Sequence, residues 1–401
     1  MIGSALDFLD PDTFRDGIPF TALRELRDTE PVSLRAHAGE RGYWFLTRHD
    51  DISAVLVDAR AYSSCRGTTS MMDPPAERLD FARRILVNMD PPAHTRSRRL
   101  ITQSVASRAV ERLTPRLDEL SRRTIDGIAA RGSCDFVADV ASKLPMQVIC
   151  ELLGAPEADW ERLYACSNTM MARDDPDFAA SREDVSRASM EMFAYSASLA
   201  DERRARPQED LMSALIAAEV DGQKLADEEI NAFFILLVIA GNETTRTLLA
   251  GGLHALLENP SERDRLLADP SLWPGAVEEM LRFVSPIMQW RRTLDRDVTL
   301  DGKELRTGDK VILSLISANR DERVFTDPER FDITRRDNPH IAFSFGPHLC
   351  LGASLARMEA RLLLLELFRR LPDVTLDGPI VRLRSNFLNG MKRMPIRYTP
   401  G

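Results

Sequence analysis

The chain has 401 residues, enough for a large buried core, and its 44% hydrophobic and 29% charged residues are ordinary for a globular protein. Its net charge of −9 argues against a general nucleic-acid binder. The N-terminus shows no basic segment followed by an apolar run, and the longest apolar stretch, residues 232–241, is well short of the roughly 20 residues that span a bilayer. We therefore predict a cytoplasmic protein of bacterial type without a signal peptide or membrane anchor, in which residues 232–241 belong to a buried helix.

The predicted elements begin with a short strand at residues 43–47 (YWFLT). Helical periodicity then dominates residues 90–285, with breaks at proline, glycine and aspartate clusters. Two strand-like segments follow, at residues 297–300 and 310–315. This order predicts a mainly α fold with a minor β part, in a single domain. Its three parts are expected at about residues 1–65 (β-rich), 66–285 (helical) and 286–401 (β segments and a last helix).

Three of the predicted helices carry the motifs of interest. The first begins at Asp90, and the two prolines that follow occupy its first turn. The second begins at the acidic residues 227–229 and continues to residue 259, roughly 30 residues, well above the usual length of a globular helix. The third begins at Pro274 and ends at Ser285, which precedes a proline. A buried helix as long as the second crosses a whole domain.

The five cysteines predict neither a disulfide framework nor a zinc site, because their number is odd and no two have CxxC spacing. Four of them are predicted to be buried thiols without a special role: Cys65, Cys134, Cys150 and Cys166. The fifth, Cys350, follows a loop with glycine and proline and precedes a strongly amphipathic helix. At a helix N-terminus, the dipole and the open N–H groups favour the thiolate over the thiol. A core thiol after a turn is the alternative.

The segment FSFGPHLCLG, residues 343–352, resembles the haem-binding signature of the cytochrome P450 family. Glycine lets the backbone approach a flat ligand closely, and N–H donors directed at a sulfur tune a metal thiolate. The resemblance implies that Cys350 is the axial ligand of the iron of haem b. It also implies that four other residues of the loop bind the cofactor: Phe343, Gly346, His348 and Gly352.

Glu279 and Arg282 lie three residues apart on the third helix, so they share a helix face and can pair. Their neighbours are apolar, which favours a buried pair, and such a pair needs further polar partners. The two residues resemble the ExxR motif of the family, and residues 328–331 (PERF) resemble the segment that supplies a third member. The resemblance implies a structural network of Glu279, Arg282 and Arg330 beneath the haem, with no catalytic role.

The middle of the long helix carries AGNETT, residues 240–245. Glycine inside a helix costs about 1 kcal/mol relative to alanine, and threonine can bond back to the carbonyl one turn earlier. These choices favour a local opening of the helix, with a polar cluster in a kink as the alternative. The segment resembles the family motif whose opening admits dioxygen. The resemblance implies that Ala240 and Gly241 contact the cofactor, and that Glu243 and Thr244 form the acid–alcohol pair that relays protons.

His94 and Arg98 lie four residues apart on the first helix and share one of its faces. They resemble the HxxxR motif of the family, which implies that they hold the haem propionates. Arg292 and His348 match two further propionate donors, with Arg291 as an alternative to Arg292. Two buried carboxylates need several charge-assisted donors, so a set of this size fits the role.

The four motifs occur in the expected order across nearly the whole chain. The resemblance implies the single, mainly helical P450 domain, with haem between the long helix and the Cys350 loop, and a monooxygenase that inserts one oxygen atom of O2 into a C–H bond. A peroxygenase that uses peroxide is one alternative, and a non-catalytic haem sensor or carrier is another. The acid–alcohol pair Glu243 and Thr244 argues against the first, and the predicted helix opening argues against the second.

The substrate pocket is implied by the resemblance at residues 68–88, 167–195, 287–288 and 387–390, together with the long helix. These segments are largely apolar and contain several methionines, which favours a small apolar substrate of steroid, terpenoid or fatty-acyl type.

Electrons must come from another protein, since no GxGxxG follows a predicted strand. The resemblance implies a ferredoxin with its reductase, acting on a monomer. Residues 83–123 contain ten arginines and four acidic residues in an otherwise acidic protein. Two interpretations are equally open: a docking patch for an acidic ferredoxin, or a solvated basic helix face.

Overall fold

The computed structural model describes residues 6–37, 42–73, 76–104, 107–179 and 181–401. Its helices are α1 Phe20–Thr29, α2 His49–Val57, α3 Ala76–Ala82, α4 Ala93–Ser104, α5 Ser107–Ala129, α6 Lys143–Leu153, α7 Trp160–Met171, α8 Arg182–Ala205, α9 Leu211–Ala217, α10 Asp227–Glu258, α11 Pro260–Ala268, α12 Trp273–Val284, α13 Leu315–Ala318 and α14 Ala353–Arg370. Its strands are β1 Val32–Arg35, β2 Tyr43–Leu46, β3 Tyr62–Ser63, β4 Ser133–Asp135, β5 Glu219–Val220, β6 Gln223–Lys224, β7 Gln289–Leu294, β8 Val298–Leu300, β9 Lys303–Leu305, β10 Lys310–Ser314, β11 Thr375–Leu376, β12 Val381–Arg382, β13 Met391–Arg393 and β14 Pro395–Arg397.

Two compact units are made from these elements, and neither is continuous in the sequence. The first unit consists of Met1–His94, Ser271–Cys350 and Arg384–Asn389. The second unit consists of Thr95–Pro270, Leu351–Leu383 and Gly390–Gly401.

A five-stranded sheet in the order β1-β2-β10-β7-β3 lies in the first unit. β1 and β2 pair antiparallel, and β10 joins β2 in parallel with Val311 opposite Trp44. β7 runs antiparallel to β10, with Arg292 opposite Val311 and Arg291 opposite Ile312. Because side chains alternate along a strand, Arg291 and Arg292 point to opposite faces of this sheet.

Each face of this sheet is covered by a helix. One apolar cluster includes buried residues from β2, β10 and α2: Leu46, Ile52, Val55, Val311 and Leu313. The other includes buried residues from β2, β10 and α1: Leu23, Leu26, Tyr43, Phe45 and Ile312. Residues 1–65 were predicted to be β-rich, but their described part (6–37 and 42–65) contains more helix than strand. The reason is that α1 and α2 supply the apolar surface that the sheet needs on its two faces.

α10 is the longest helix of the second unit, with 32 residues, and it contacts α6, α7, α8 and α14. Its start is capped by Glu229, whose carboxylate accepts the N–H of Ala226 (2.8 Å). Within the described ranges, α10 is the one helix long and apolar enough to cross a membrane by length and composition. Of that apolar window 67% is buried in protein, so the buried helix predicted at residues 232–241 is confirmed.

The mainly α fold class with a minor β part is confirmed, and the three predicted helices correspond to α4, α10 and α12. The three predicted strands correspond to β2, β8 and β10. β7, the sequence QWRRTL, was not predicted, because two adjacent arginines interrupt its apolar pattern.

Candidate functional site

The residues predicted to form the site are divided between the two units. The first unit contains His94, Arg292, Phe343, Gly346, His348 and Cys350. The second unit contains Arg98, Ala240, Gly241, Glu243, Thr244 and Gly352.

The loop that carries Cys350 is folded back on itself by two backbone hydrogen bonds. The N–H of Cys350 donates to the carbonyl of Phe343 (3.0 Å), and the N–H of Leu349 donates to the carbonyl of Gly346 (3.1 Å). Gly346 has a φ of +67°, and a Cβ there would lie 3.0 Å from the carbonyl oxygen of Leu56 at the end of α2. Glycine is therefore required by both the backbone conformation and the close approach of α2. The loop leaves Cys350 exposed, three residues before α14, whose N-cap is Gly352.

The other four cysteines have a different environment. Cys134, Cys150 and Cys166 are buried, and Cys65 is half-buried. Burial raises the pKa of the Cys134 thiol to about 11 and that of the Cys150 thiol to about 12. The predicted burial is confirmed for Cys134, Cys150 and Cys166 but not for Cys65, which is half-buried, and Cys350 is the exposed member of the five.

His94 and His348 are in contact, with ring centroids 4.2 Å apart and ring planes inclined by 40°. His94 is buried near the start of α4, and Nε2 of His348 lies 3.4 Å from the hydroxyl of Ser64. Arg98, four residues after His94 on the same helix, is half-buried. Two residues that the motifs assigned to the propionates, and that lie far apart in the sequence, are thus brought together.

Arg291 and Arg292 differ in their counter-charges. Arg291 forms an ion pair with Asp73 and donates to the carbonyl of Ser70 (3.2 Å). Arg292 is 3% exposed and donates to the carbonyl of Arg291 (2.9 Å), and no ion pair of its guanidinium exists within the described part of the chain. Burial lowers the pKa of Arg292 to about 10, and the charge of Asp90 opposes this shift. A buried cation of this kind is complementary to an anionic group.

These donors fit the expected cofactor. Haem b has two carboxylates, and buried carboxylates need charge-assisted donors. The buried guanidinium of Arg292 and the two imidazoles in contact are such donors, and the exposed cysteine of the glycine turn offers a sulfur ligand. The residues of the first unit therefore fit a haem, and their environments favour Arg292 over Arg291 as the propionate donor.

The middle of α10 has an accessible stripe, beside which Leu237, Ile239 and Gly241 are also half-buried. Leu236, Ala240 and Thr244 recur every four residues and are half-buried or exposed. The Thr244 hydroxyl donates to the carbonyl of Ala240 (2.6 Å), which is the back-bond expected of a threonine in a helix. The helix continues through this position without interruption, so the predicted opening is not a break in α10.

Gly241 allows close packing between two helices. A Cβ at this position would overlap Cγ1 of Ile149 on α6 and lie 2.8 Å from its Cδ1. The missing side chain is thus explained by the approach of α6 and not by a local opening of the helix. A contact between Gly241 and the haem stays a prediction.

Glu243 is fully buried and bonds away from the neighbouring threonine. Its carboxylate forms an ion pair with Arg246 and accepts a hydrogen bond from the amide of Asn242 (3.0 Å). Arg246 also donates to the Tyr164 hydroxyl (3.2 Å) and to the Asn168 amide oxygen (2.9 Å), both on α7. Burial raises the pKa of Glu243, and the Arg246 guanidinium opposes that shift. The acid of the predicted pair is therefore held toward α7.

Glu279 and Arg282 form a buried ion pair, with Nη2–Oε1 2.7 Å and Nε–Oε2 2.8 Å. The third member is Arg335, whose Nε donates to Glu279 (3.1 Å), and Asn338 adds a fourth contact (3.2 Å). The prediction of Arg330 as third member was wrong, because its side chain is exposed. The chain turns so that the carbonyl of Arg330, and not its guanidinium, faces the pair and accepts from Arg282 (3.1 Å).

Three of these polar partners were not predicted. Arg246 lies three residues after Glu243, and this helical spacing was a usable signal. Arg335 and Asn338 lie 56 and 59 residues from Glu279, and no local pattern connects them to it.

The basic segment 83–123 is largely paired within the protein. Among the eight arginines of this segment whose side chains the structure describes, six form ion pairs with carboxylates: Arg83, Arg96, Arg99, Arg116, Arg122 and Arg123. These pairs favour the interpretation of this segment as a solvated helix face.

Comparison with known sequences identifies the family. The sequence profile of the family described as Cytochrome P450 matches residues 165–269 and 271–376. The steroid C26-monooxygenase of Mycolicibacterium smegmatis is 37% identical, over 99% of this chain and 95% of its own length. The methyl-branched lipid omega-hydroxylase of Mycobacterium tuberculosis is 38% identical, over 98% of this chain and 94% of its own length.

Solved structures are similar to this chain over nearly its whole length. A Mycobacterium marinum cytochrome P450 in complex with pseudoionone has a TM-score of 0.89 at 37% identity and covers 94% of both chains. A Bacillus megaterium enzyme in complex with testosterone has a TM-score of 0.84 at 33% identity, covering 95% of this chain and 99% of its own.

Fold and site together define a haem-thiolate enzyme. The chain belongs to the cytochrome P450 family, as the sequence motifs predicted. It is accordingly a monooxygenase that uses haem b, an organic substrate, O2 and electrons from redox partners.

Proposed function

We propose that this enzyme hydroxylates an apolar substrate, a steroid or a methyl-branched lipid, with electrons from a ferredoxin and its reductase. The observation that carries the proposal is similarity along 98–99% of the chain to enzymes named for those two substrate classes. The proposal includes a monomeric cytoplasmic enzyme, without a nucleic-acid partner, in which residues 1–401 form one P450 domain.

Cys350 is the proposed iron ligand, in a loop where Phe343 and Gly346 contact the haem. Arg292, His94 and His348 are the proposed propionate donors, supported by the buried charge of Arg292 and the contact between the two imidazoles. The remaining cofactor residues keep the roles that the family resemblance gives them: Arg98, Ala240, Gly241 and Gly352.

When bound, the haem supplies the chemistry that splits O2 and inserts an oxygen atom into a C–H bond. The chain orients the substrate, excludes water and moves protons. Thr244, on the accessible stripe of α10, is proposed to hold a water molecule through its hydroxyl, and Glu243 is proposed to resupply the proton. A carboxyl whose pKa is raised by burial suits a proton donor, but Glu243 must separate from Arg246 to act as one.

Two of the proposed pocket segments are paired in the first unit. The N–H of Met288 donates to the carbonyl of Phe387 (2.8 Å), and the N–H of Asn389 donates to the carbonyl of Pro286 (3.0 Å). Met288 belongs to a buried apolar cluster against which Phe387 packs. This pairing supports an apolar wall built from residues 286–288 and 387–389.

Turnover of the purified holoenzyme tests the proposal. Steroids and methyl-branched lipids are first screened for a shift of the ferric Soret band on binding. The best ligand is then incubated with a surrogate ferredoxin, its reductase, NADPH and isotopically labelled O2. We expect a hydroxylated product that carries one labelled oxygen atom. Product formed with peroxide alone would indicate a peroxygenase, and absence of product under both conditions would indicate a haem carrier or sensor.

The ligand assignment has its own test. The reduced carbon-monoxide adduct should show the strongly red-shifted Soret band of a thiolate haem, and Cys350→His should lose that band even where haem is retained. Cys166→Ala, which removes a buried thiol, serves as the control and should keep it. A Cys350→Ala variant with the wild-type spectrum would remove the assignment.

A further inference from the structure

Asp90 connects the turn at 63–65 to the start of α4, which carries the proposed propionate donor His94. Its carboxylate accepts hydrogen bonds from the Ser63 hydroxyl (2.5 Å), the Ser64 N–H (2.8 Å) and the Cys65 N–H (3.3 Å). Its backbone carbonyl accepts the N–H of His94 (2.9 Å). One residue thus fixes both the turn at 63–65 and the start of α4.

The turn at 63–65 reaches a second donor. The Ser64 hydroxyl lies 3.4 Å from Nε2 of His348, and the ring of His348 is in contact with that of His94. Asp90 is therefore bonded on one side to the residue that touches His348, and on the other side to His94 itself. A shift of its carboxylate would move the turn that faces His348, and the ring of His348 is in contact with that of His94.

The charge of Asp90 also acts on Arg292. Arg292 is buried and has no ion pair within the described residues, and its pKa is raised by Asp90 against the lowering effect of burial. Asp90 is half-buried, so its negative charge can partly balance the Arg292 guanidinium while that guanidinium also binds the haem carboxylates.

We propose that Asp90 is a positioning residue of the haem site: it holds His94 and His348 in place, and its negative charge offsets that of Arg292, so that it sets the reduction potential of the haem. The inference rests on the proposed propionate roles of these residues. Asp90 would not touch the haem, since its carboxylate oxygens are occupied by the turn at 63–65.

Asp90→Asn tests the charge, because asparagine keeps one acceptor oxygen for the Ser64 N–H. A negative charge near the haem stabilises the ferric state over the ferrous state. Its removal, together with the release of Arg292 toward the propionates, should therefore shift the reduction potential of the holoenzyme to a more positive value. Spectroelectrochemical titration measures this shift without any substrate.

Asp58→Asn is the matched control. Asp58 also caps a turn of the first unit, accepting the N–H groups of Arg60 (3.2 Å) and Ala61 (3.1 Å), and its loss changes the net charge equally. This variant should keep the wild-type potential. An unchanged potential in Asp90→Asn, or an equal shift in Asp58→Asn, would overturn the proposal.

Positioning is tested by haem loss. Asp90→Ala removes every side-chain acceptor at this position, and loss of such an outer contact should speed transfer of haem to apomyoglobin by roughly tenfold. If Asp90→Asn does not retain haem, Asp90→Glu, which keeps the charge, should restore haem content and potential. If Asp90→Glu does not restore haem content and potential either, Asp90 would only stabilise the turn at 63–65, and its proposed charge role would be contradicted.

The carbon-monoxide spectrum of the wild type distinguishes failure of the proposed function from failure of the proposed role of Asp90. Absence of the thiolate band in the wild type would refute the proposed function. A thiolate band with unshifted potentials in the Asp90 variants would refute the role of Asp90 alone.

Discussion

Glu243 and Thr244 are neighbours in the sequence and both bond within α10, but their environments differ. Thr244 lies on the accessible stripe and donates to the carbonyl of Ala240, whereas Glu243 is buried and pairs with Arg246, which bonds in turn to α7. The motif identifies the two residues, but their environments decide what each can do. The Thr244 hydroxyl can hold a water molecule. The Glu243 carboxyl can hold a proton, but Glu243 must separate from Arg246 to donate it.

Thr244→Ala should uncouple the reaction. The pocket keeps nearly the same size, so haem and substrate should still bind, but the hydroxyl proposed to hold water is lost. NADPH consumption should continue with more hydrogen peroxide and less hydroxylated product. The measurement is the ratio of product formed to NADPH oxidised, with Thr245→Ala, a buried neighbour, as the control. An unchanged ratio would contradict the proposed role of Thr244.

Glu243→Gln should slow NADPH consumption itself, because the proposed relay loses its acid. The variant also leaves the buried Arg246 cation without its counter-charge, so its melting temperature is measured alongside. A variant that is folded, loaded with haem and fully active would exclude Glu243 from the relay.

Glu359 on α14 is the second carboxyl affected strongly by burial. It is 2% exposed, its Oε2 has no hydrogen-bond partner among the described residues, and burial raises its pKa to about 8. Below about pH 4.5 the carboxyl is protonated in both the folded and unfolded states. Between about 4.5 and 8 only the unfolded state loses the proton, so the free energy of unfolding falls by about 1.4 kcal/mol per pH unit.

Glu359→Gln should remove this dependence. Glutamine is neutral at every pH, so the variant should match the wild type near pH 4 and become progressively more stable than it up to pH 8. Urea unfolding at several pH values measures the difference. Glu366→Gln on the same helix is the control, because Glu366 accepts two hydrogen bonds from Arg369 and its loss should bring no gain. Equal stability of the Glu359→Gln variant and the wild type at pH 8 would show that Glu359 is ionised in the folded protein.

At the scale of elements, α10 carries the proposed oxygen-activation residues and is also largely buried in the second unit. Its length and acidic start were predictable, because the apolar residues and the terminal charges are both visible in the sequence. The packing role of Gly241 was not predictable from the sequence. The side chain that excludes a Cβ there is Ile149 of α6, which lies some ninety residues earlier. β7 was unpredictable for a related reason: Arg291 is neutralised by Asp73, and that pairing exists only in the folded unit.

Gly241→Ala should destabilise the protein through overlap with Ile149. Overpacking costs about 1–3 kcal/mol, which outweighs the gain of about 1 kcal/mol from replacing a helical glycine. Urea unfolding should show the loss, and Ile149→Ala in the same chain should recover part of it. Gly127→Ala on α5, where a Cβ meets nothing within 4 Å, should be neutral or stabilising. A shifted haem spectrum with unchanged stability would instead assign Gly241 to the cofactor.

At the scale of the whole molecule, the motifs predicted the family and the fold class because each is a short pattern that can be recognised in the sequence alone. Glu279 and Arg282 were recognisable at three-residue spacing, and their burial followed from apolar neighbours. Arg335 and Asn338 were not recognisable, since they reach Glu279 only after the loop beyond β10 has folded. The sequence therefore predicted which residues pair locally and misassigned the partner that tertiary structure supplies.

Glu279→Ala should cost about 3–5 kcal/mol, because it leaves the buried charges of Arg282 and Arg335 without a counter-charge. We expect little soluble protein and low haem content. Glu119→Ala, which breaks an exposed pair with Arg116 at the same i,i+3 spacing, should change the melting temperature little. Normal haem content and melting temperature in Glu279→Ala would contradict a structural role for the network.

The five-stranded sheet has a consequence for biosynthesis. β2 pairs with β10, and residues 47–309 separate the two strands, so the ribosome adds these residues before the pair can form. At about 5–20 residues per second, this interval lasts on the order of tens of seconds. During that time β1 and β2 carry an unpaired edge and apolar side chains that have no cover from β10. The nascent chain therefore offers a substrate for chaperones that hold exposed strands, and host cells with more of them should yield more soluble enzyme.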